Sequence, residues 1–278
     1  MPGTDTMFDA REYWRQRIAG DGALSNVGQA ELGDYNRYTY PLRLDAFERA
    51  LEGLVPDHPR VFDGGFGEGV YLRYWAERGA SIVAGLDFSP RAVKSGRRAH
   101  PTFDLHTGDL AKPEDLRDFG RYDVVTAIDV LYHVVDDDAW RSAVGNLLHL
   151  TSPSGVFLFT DKLPREGAYQ PMAHVRRRSL AMWEEALAEH GFQVIKRVPV
   201  FMLMDDPITC GNRPWLGRMA RLQWRLATKL IRMTARWPRV QNRVAGLVAR
   251  LQLPFERAMV QRMDAVPNLE ILVCRRAP

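Results

Sequence analysis

The feature that most constrains the fold is a succession of short apolar runs, which begins at residue 60 and alternates with amphipathic stretches. The runs span residues 60–63, 81–87, 122–129, 155–161, 192–204 and 268–276. This order is typical of an α/β fold, in which helices connect the strands of a mostly parallel sheet. Four runs end in an aspartate: Asp63, Asp87, Asp129 and Asp161. Because ligands bind at the carboxyl edge of such a sheet, we expect these four side chains to converge on one crevice.

A glycine-rich turn, V-F-D-G-G-F-G-E-G, follows the first run at residues 61–69 and opens a helix. Gly65 and Gly67 permit a tight turn and close approach of a ligand to the backbone. A dinucleotide would place its pyrophosphate at the start of this helix, where Asp63 and Glu68 would repel it. The turn therefore favours a ligand that has a cationic amino group and no phosphate, although a nicotinamide-dependent oxidoreductase remains an alternative.

Three further motifs follow in order: G-L-D-F-S-P at 85–90, T-G-D-L at 107–110 and Y-D-V-V-T-A-I-D at 122–129. With the glycine turn they make the sequence resemble the class I S-adenosylmethionine-dependent methyltransferases over about residues 58–200 and the final strand. The resemblance implies a Rossmann-like fold, a seven-stranded mostly parallel sheet with helices on both faces. It also implies S-adenosyl-L-methionine as cofactor, S-adenosyl-L-homocysteine as product, and no metal.

The resemblance assigns the cofactor-binding residues. Asp63 would hold the amino end of the methionine, Gly65 and Gly67 would pass under the cofactor, and Asp87 would bind the ribose hydroxyls. The other expected contacts lie along the adenine and the pocket wall: Phe88, Asp109, Leu110, Ile128 and Asp129.

Candidate catalytic residues follow from the chemistry of methyl transfer. The reaction is an in-line displacement, which requires an aligned nucleophile and, where the acceptor must lose a proton, a base. The candidates are His133 in an expected helix after the fourth strand, His174 in a loop after the fifth, and Tyr13 near the N-terminus. Trp14, Tyr38 and Tyr132 are expected to bind the acceptor, with packing in the core as the alternative for each aromatic residue.

Residues 207–255 differ from the rest of the chain in charge. They contain ten Arg and Lys residues and no Asp or Glu, whereas the remainder has 28 basic and 34 acidic residues. An apolar stripe at steps of three and four predicts a helix, and Pro238 separates it from a second one. We expect this stripe to pack on the domain near the active site: Trp215, Met219, Leu222, Leu226, Leu230, Met233 and Trp237.

The basic side chains of 207–255 have several interpretations. They are the solvated flank of a lid, they attract an anionic substrate or carrier, or they contact an anionic membrane surface. A nucleic-acid partner is not expected, because no recognised RNA-binding module accompanies the basic stripe. The basic insertion itself nevertheless leaves a second hypothesis, a methyltransferase that acts on RNA or on a lipid or carrier-bound acceptor.

These observations predict four regions and one main function. The regions are an N-terminal helical cap (1–55), a Rossmann-like core (56–204), a basic helical lid insertion (205–266) and a final core strand (267–278). The predicted function is methylation of a small molecule, with an anionic acceptor as one option, in the biosynthesis of a bacterial natural product. The two distant cysteines, Cys210 and Cys274, and the absence of a signal-like N-terminus favour a cytoplasmic protein. The acceptor atom, whether O, N or C, and the oligomeric state are left open.

Overall fold

The computed structural model describes residues 30–208 and 214–278, so the predicted residues Tyr13 and Trp14 lie outside the described residues. The described residues contain nine strands: β1 (Arg60–Gly64), β2 (Ile82–Asp87), β3 (Asp104–Thr107), β4 (Tyr122–Ala127), β5 (Thr151–Lys162), β6 (Ala168–Met172), β7 (Val175–Arg178), β8 (Phe192–Pro199) and β9 (Leu269–Arg276). Seven of them form one sheet in the order β3-β2-β1-β4-β5-β9-β8, in which β9 runs antiparallel to both of its neighbours and the other pairings are parallel. The predicted Rossmann-like fold is confirmed.

Helices cover both faces of this sheet. They are α1 (Asn36–Leu51), α2 (Val70–Glu77), α3 (Pro90–Ala99), α4 (Asp137–Leu150), α5 (Leu180–Ala188), α6 (Pro214–Arg232) and α7 (Pro238–Val260). Neighbouring strand residues point to opposite faces, so Val61 packs in the cluster that includes α1 and α2, whereas Phe62 packs in the cluster that includes α4 and α5. The sheet is therefore buried on both sides, and its carboxyl edge is left to form a site.

The three consecutive aspartates at 136–138 lie at the start of α4. Asp136 caps the helix, because its carboxylate accepts a hydrogen bond from the backbone N of Ala139 at 2.8 Å. Asp137 pairs with Arg176 and Arg178 of β7. These contacts fix the start of α4 next to the two-stranded β6–β7 hairpin.

One local expectation near the predicted catalytic histidines is wrong, and a second is incomplete. The segment with His133 is a single 3-10 turn (Leu131–His133) and does not extend into a longer helix. His174 lies in the tight turn between β6 and β7, which form a separate two-stranded sheet where the sequence indicated only a loop. Arg176 and Arg178 lie on the same face of β7, and both donate hydrogen bonds to Asp137. This ion pairing supports a short strand with little apolar content.

The helical hairpin α6–α7 forms where the basic stretch predicts it, but the expectation about its packing is wrong. The predicted stripe is exposed, with Trp215, Leu226 and Met233 between 61% and 67% accessible. The buried face of α6 is a second stripe of mostly smaller residues, Leu216, Ala220, Trp224, Ala227 and Ile231. Small side chains let the helix approach its neighbours closely, which explains why this stripe is the one that packs.

The hairpin is attached to the rest of the chain through buried polar contacts. Glu256 of α7 is fully buried, and its carboxylate accepts hydrogen bonds from the backbone N atoms of Met202 and Leu203 at 2.6 and 2.7 Å. The Tyr35 hydroxyl donates to Gln252 Oε1 at 2.6 Å. Within the described ranges, no helix combines the length and the apolar character required to cross a membrane.

Candidate active site

The carboxyl ends of four adjacent strands, β2, β1, β4 and β5, carry the four predicted aspartates. Asp63 pairs in register with Gly85 and Thr126, which places it at the centre of this edge. Asp87 and Asp129 follow on the neighbouring strands. Asp161, by contrast, is fully buried and accepts hydrogen bonds from Arg177 and the indole of Trp183, both at 3.0 Å. Its carboxylate is thus occupied by the core.

The glycine turn between β1 and α2 makes a cradle in the backbone. Gly65 donates to the carbonyl of Leu86 at 2.7 Å and adopts φ +72°, and a Cβ there would lie 2.5 Å from the side chain of Val130. Gly67 has φ +50°, and a Cβ built at Gly67 would meet no atom within 4 Å. Non-glycine residues rarely adopt such φ values, so the turn needs glycine. The open side at Gly67 leaves room for a ligand against the backbone.

Asp63 has one carboxylate oxygen that is satisfied and one that is not. Oδ1 accepts a hydrogen bond from the Thr126 hydroxyl at 2.7 Å, whereas Oδ2 is buried without a partner in the described part of the chain. Burial raises the pKa of Asp63 to about 7, the Thr126 bond opposes this, and Asp87 adds to it. A buried acceptor of this kind fits an ammonium group, which would both pair with Oδ2 and stabilise the ionised carboxylate.

Asp87 is held by the backbone on both oxygens. Oδ1 accepts from the N of Ser89 and Oδ2 accepts from the N of Gly67, each at 2.8 Å. Burial raises the pKa of this carboxyl, and the two backbone bonds act against that shift. An ionised carboxylate oxygen accepts more than one hydrogen bond, so Asp87 can also receive two adjacent hydroxyls such as those of a ribose.

The other predicted cofactor residues lie around the same edge. Phe88 is half-buried directly after β2, and Ile128 is buried directly after β4. Leu110 is buried against the glycine turn, since a Cβ on Gly64 would lie 3.1 Å from its side chain. The Asp109 carboxylate accepts from the N of Ala111 at 2.9 Å. The structure therefore brings these residues together near Asp63 and Asp87.

Asp129 is the centre of a polar cluster that the sequence did not predict. Its backbone is left-handed, with φ +61°, a conformation that is costly for a residue other than glycine and often occurs at functional sites. Its side chain forms an ion pair with Arg43 of α1 and accepts from the hydroxyls of Tyr132 at 3.2 Å and Thr160 at 3.1 Å. Asp129 thus joins α1 to the ends of β4 and β5.

A second layer of charged pairs lies beneath Tyr132. The guanidinium of Arg177 lies 3.5 Å from the centre of the Tyr132 ring and also binds Asp161. Lys162 forms a buried ion pair with Asp205 at 2.9 Å. The R-R-R run at 176–178 indicates a cluster of positive charge, but nothing in the run identifies its acidic partners. The pairing keeps this part of the edge polar and rigid.

His133 and His174 contact one another through a ring and a carbonyl. His133 Nδ1 lies 2.7 Å from the carbonyl oxygen of His174, and the ring centroids are 5.7 Å apart with planes at 15°. A carbonyl only accepts, so Nδ1 carries the proton and the neutral ring has its lone pair on Nε2. The contact therefore fixes the tautomer in which Nε2 is basic.

Tyr38 does not share the sheet edge with the other predicted residues. Its hydroxyl accepts a hydrogen bond from Arg250 Nε at 3.2 Å, and a Cβ on Gly246 would lie 3.1 Å from it, so the side chain lies against α7.

As for metals, the residues in 30–208 and 214–278 include no group of three His, Cys, Asp or Glu side chains that could hold an ion.

Comparison with known proteins identifies methyltransferases as relatives of this chain. A profile described as "Methyltransferase domain" matches residues 35–197, which is more than half of the chain. The ubiquinone biosynthesis O-methyltransferase of Alkalilimnicola ehrlichii is 32% identical over 123 residues, which cover 43% of this chain and 47% of that protein. The malonyl-[acyl-carrier protein] O-methyltransferase of Pectobacterium atrosepticum is 30% identical over 142 residues, 49% and 52% of the two chains. The chain thus spans about half the length of the curated relatives it matches.

Among solved structures, the fold is similar to that of the N-methyltransferase NodS from Bradyrhizobium japonicum, determined with S-adenosyl-L-homocysteine. The TM-score is 0.56 at 12% identity, and the match covers 98% of this chain and 100% of that one. The likeness extends over the whole architecture, and at this identity it concerns the fold alone. The domain match over 35–197 decides against the nicotinamide-dependent alternative. The chain belongs to the class I S-adenosylmethionine-dependent methyltransferase family.

Proposed function

We propose that this protein transfers a methyl group from S-adenosylmethionine to a hydroxyl oxygen of a small-molecule acceptor, free or carrier-bound, in a biosynthetic pathway of a bacterial cytoplasm. The observation that carries the donor half is the buried Oδ2 of Asp63, which lacks a partner in the described part of the chain, beside the open cradle at Gly67. S-adenosylmethionine has the ammonium, the ribose hydroxyls and the absence of phosphate that these residues favour.

The chain's own residues then divide the binding of this cofactor. Asp63 receives the amino group of the methionine, Gly65 and Gly67 give room under it, and Asp87 receives the ribose hydroxyls. Phe88, Leu110 and Ile128 supply apolar surface for the adenine side, with Asp109 near its amino group. The cofactor supplies an electrophilic methyl group on a sulfonium, and the protein has to align a nucleophile with it and exclude water.

The acceptor half of the site is assigned to the ends of β4 and β5. His133 carries a lone pair on Nε2 because Nδ1 donates to the His174 carbonyl. A neutral amine or an ionised carboxylate attacks without losing a proton first, whereas a hydroxyl has to lose its proton as the methyl arrives. The oriented base therefore favours a hydroxyl acceptor, and the curated relative from Alkalilimnicola ehrlichii is named as an O-methyltransferase.

The roles of the neighbouring residues follow from their contacts. His174 is a positioning residue, since its carbonyl sets the tautomer of His133. Asp129, Arg43 and Tyr132 form a paired wall that excludes water without leaving a free charge next to the sulfonium. Arginine outnumbers lysine in the chain, which has only five lysines. This bias is common in bacterial genomes rich in G and C, in which biosynthetic methyltransferases are common, and by this association we assign the protein a role in specialised metabolism.

The test is a methyl-transfer assay with radiolabelled S-adenosylmethionine and a panel of phenols, enols, carboxylic acids and amines. The wild-type protein is expected to methylate a phenol or an enol. In His133→Gln, kcat for that acceptor should fall by a factor of about 10²–10⁴, because the base is lost, while the affinity for S-adenosylhomocysteine stays the same. The control is His149→Gln, which changes an exposed histidine of α4 and should leave both quantities unchanged.

The pH profile separates a base from a structural residue. If His133 is the base, its protonation in acid prevents it from accepting the proton of the acceptor, so kcat of the wild type falls on the acid side and His133→Gln loses that limb. Transfer only to amines, or equal turnover by His133→Gln, would contradict the proposal.

A further inference from the structure

Helix α6 presents three separate faces, where an ordinary surface helix presents two. The first is apolar and buried: Leu216, Ala220, Trp224, Ala227 and Ile231. The second is apolar and exposed: Trp215, Met219, Leu222, Leu226 and Leu230. The third is basic and lies between the other two: Arg218, Arg221, Arg225, Lys229 and Arg232. Since successive residues turn by about 100°, each set keeps to one sector of the helix.

Helix α7 repeats this arrangement. Its buried face includes Ala245, Ala249 and Glu256. Its exposed apolar residues are Val240, Leu247, Leu251 and Phe255. Arg239, Arg243 and Arg250 lie on the sector of α7 between its buried face and this stripe. Both helices of the hairpin therefore combine an exposed apolar stripe with a basic flank.

The exposure of these side chains is concentrated in the hairpin. Of the large apolar side chains that are exposed in the described residues, eleven lie between Trp215 and Phe255 and four lie elsewhere. Scattered exposed leucines need no explanation, but a contiguous set of Trp, Leu, Met and Phe side chains is the pattern of an interaction surface. Met233 and Trp237, at the connection between the helices, extend it to the tip of the hairpin.

The basic side chains are mostly available to a partner. Among described residues, no acidic group lies within ion-pair distance of Arg218, Arg225, Lys229, Arg236, Arg239 or Arg243. Arg225, Lys229 and Arg232 line an open depression together with Thr228 and Met233. This depression has the donors and the charge that a phosphate group binds.

Charge selects among the partners that would cover such a face. A second copy of the chain would bring the same unneutralised cations against these, because the hairpin segment 207–255 has ten basic and no acidic residues. A nucleic acid would neutralise the cations but leave the apolar stripes in water. A bilayer with anionic headgroups satisfies both: phosphates meet the basic face, and the apolar stripe enters the acyl boundary.

We propose that the α6–α7 hairpin is a peripheral docking surface for an anionic lipid bilayer, on which both helices lie in the plane of the interface. The surface is separate from the methyl-transfer site, and it requires nothing about the identity of the acceptor. Its two components make different demands on an experiment, since the charges act at long range and depend on salt, while the apolar side chains act on contact.

The first experiment is flotation of the full-length chain with vesicles of equimolar phosphatidylglycerol and phosphatidylcholine, compared with pure phosphatidylcholine. We expect binding to the anionic vesicles at about 0.05 M NaCl and much weaker binding at about 0.5 M. The triple change Arg218→Gln, Arg225→Gln, Lys229→Gln should weaken binding on the order of 100-fold. The matched control removes three exposed cations elsewhere, Lys94→Gln, Arg117→Gln and Arg165→Gln, and should bind nearly as the wild type.

The second experiment tests the apolar stripe. Leu222→Gln with Leu226→Gln keeps good helix formers and all charges, and should weaken vesicle binding by roughly 10- to 100-fold. The exposed indoles of Trp215 and Trp237 report insertion, because their fluorescence should shift to the blue with anionic vesicles and be quenched by brominated acyl chains.

Three outcomes would overturn the docking surface. The first is absence of flotation with anionic vesicles at low salt. The second is an equal loss of binding in the hairpin triple variant and in its matched control, which would reduce the effect to net charge. The third is a concentration-dependent dimer in sedimentation that the leucine variant abolishes, which would assign the stripe to a second copy of the chain.

Discussion

The carboxyl edge of the sheet and the α6–α7 hairpin treat charge in opposite ways. At the edge, the charged side chains are buried and paired, as in Arg177 with Asp161 and Lys162 with Asp205. In the hairpin, Arg225 and Lys229 are exposed to solvent, and no acidic group of the described residues lies within ion-pair distance of either.

This difference separates two kinds of recognition within one chain. Buried pairs are costly to form and rigid once formed, so they position a small molecule and exclude water. Exposed cations on a helix flank are flexible and individually weak, and they act together on an extended anionic partner. The near balance of charge over the whole sequence conceals both features, since 38 basic and 34 acidic residues nearly cancel.

The largest effect that tests this comparison is removal of one cation from each region. Arg177→Met leaves Asp161 buried without its charged partner and should lower the free energy of unfolding by about 3–5 kcal/mol. Arg225→Met makes the same chemical change on the exposed flank of α6 and should alter it by about 0.5 kcal/mol or less. Denaturant unfolding of the three proteins measures both. Similar losses in the two variants would abolish the distinction between the regions.

The two apolar stripes of α6 give a second, smaller contrast. Ile231 is fully buried and Leu230, its neighbour in sequence, is 51% exposed. Ile231→Ala should lower the free energy of unfolding by about 2–4 kcal/mol, through lost burial and the cavity left behind. Leu230→Ala should have almost no effect, because alanine is the better helix former and little surface returns to water. A larger loss for Leu230→Ala would mean that the exposed stripe is covered within the folded chain.

The fold and the donor half of the site were accessible from the sequence because their signals are local. Strand periodicity and the turn from Asp63 to Gly69 lie within short segments, and the order of the strands follows from the alternation with helices. The structure places Asp63 and Asp87 at neighbouring strand ends, with Thr126 bound to Asp63 and the Gly67 backbone bound to Asp87.

The charged pairs at the ends of β4 and β5 could not be predicted, because they join distant segments. Arg43 and Asp129 are 86 residues apart in the sequence, and no local pattern identifies either as the other's partner. The expected packing of α6 is wrong for a different reason. Its sequence contains two apolar stripes, and the larger residues of one predict that this stripe is buried, whereas the stripe that contains Ala220 and Ala227 packs. Periodicity reveals amphipathic character but does not say which apolar face meets the core.

Asp63 is the exception within the paired edge, and the smallest of these effects tests it. Its pKa is raised to about 7 by burial, so below that pH the ligand-free protein holds a proton on this carboxyl. An ammonium group binds the ionised form, and binding below pH 7 must release the proton. The affinity for S-adenosylhomocysteine should therefore rise about tenfold per pH unit, or about 1.4 kcal/mol, between pH 5 and 7 and level off above.

Calorimetric titration of Asp63→Asn separates this carboxyl from other groups that titrate nearby. The variant has the shape of the wild type without the charge, so its affinity should be low and independent of pH over the same window. Asp118→Asn, at an exposed aspartate, should keep the wild-type profile. Stability is a poorer readout, because burial also raises the pKa of Glu256 to about 7, and both carboxyls make the ligand-free protein less stable as pH rises toward 7. A persisting pH dependence in Asp63→Asn would transfer the cation site to another acid, and the edge would then hold no unpaired charge.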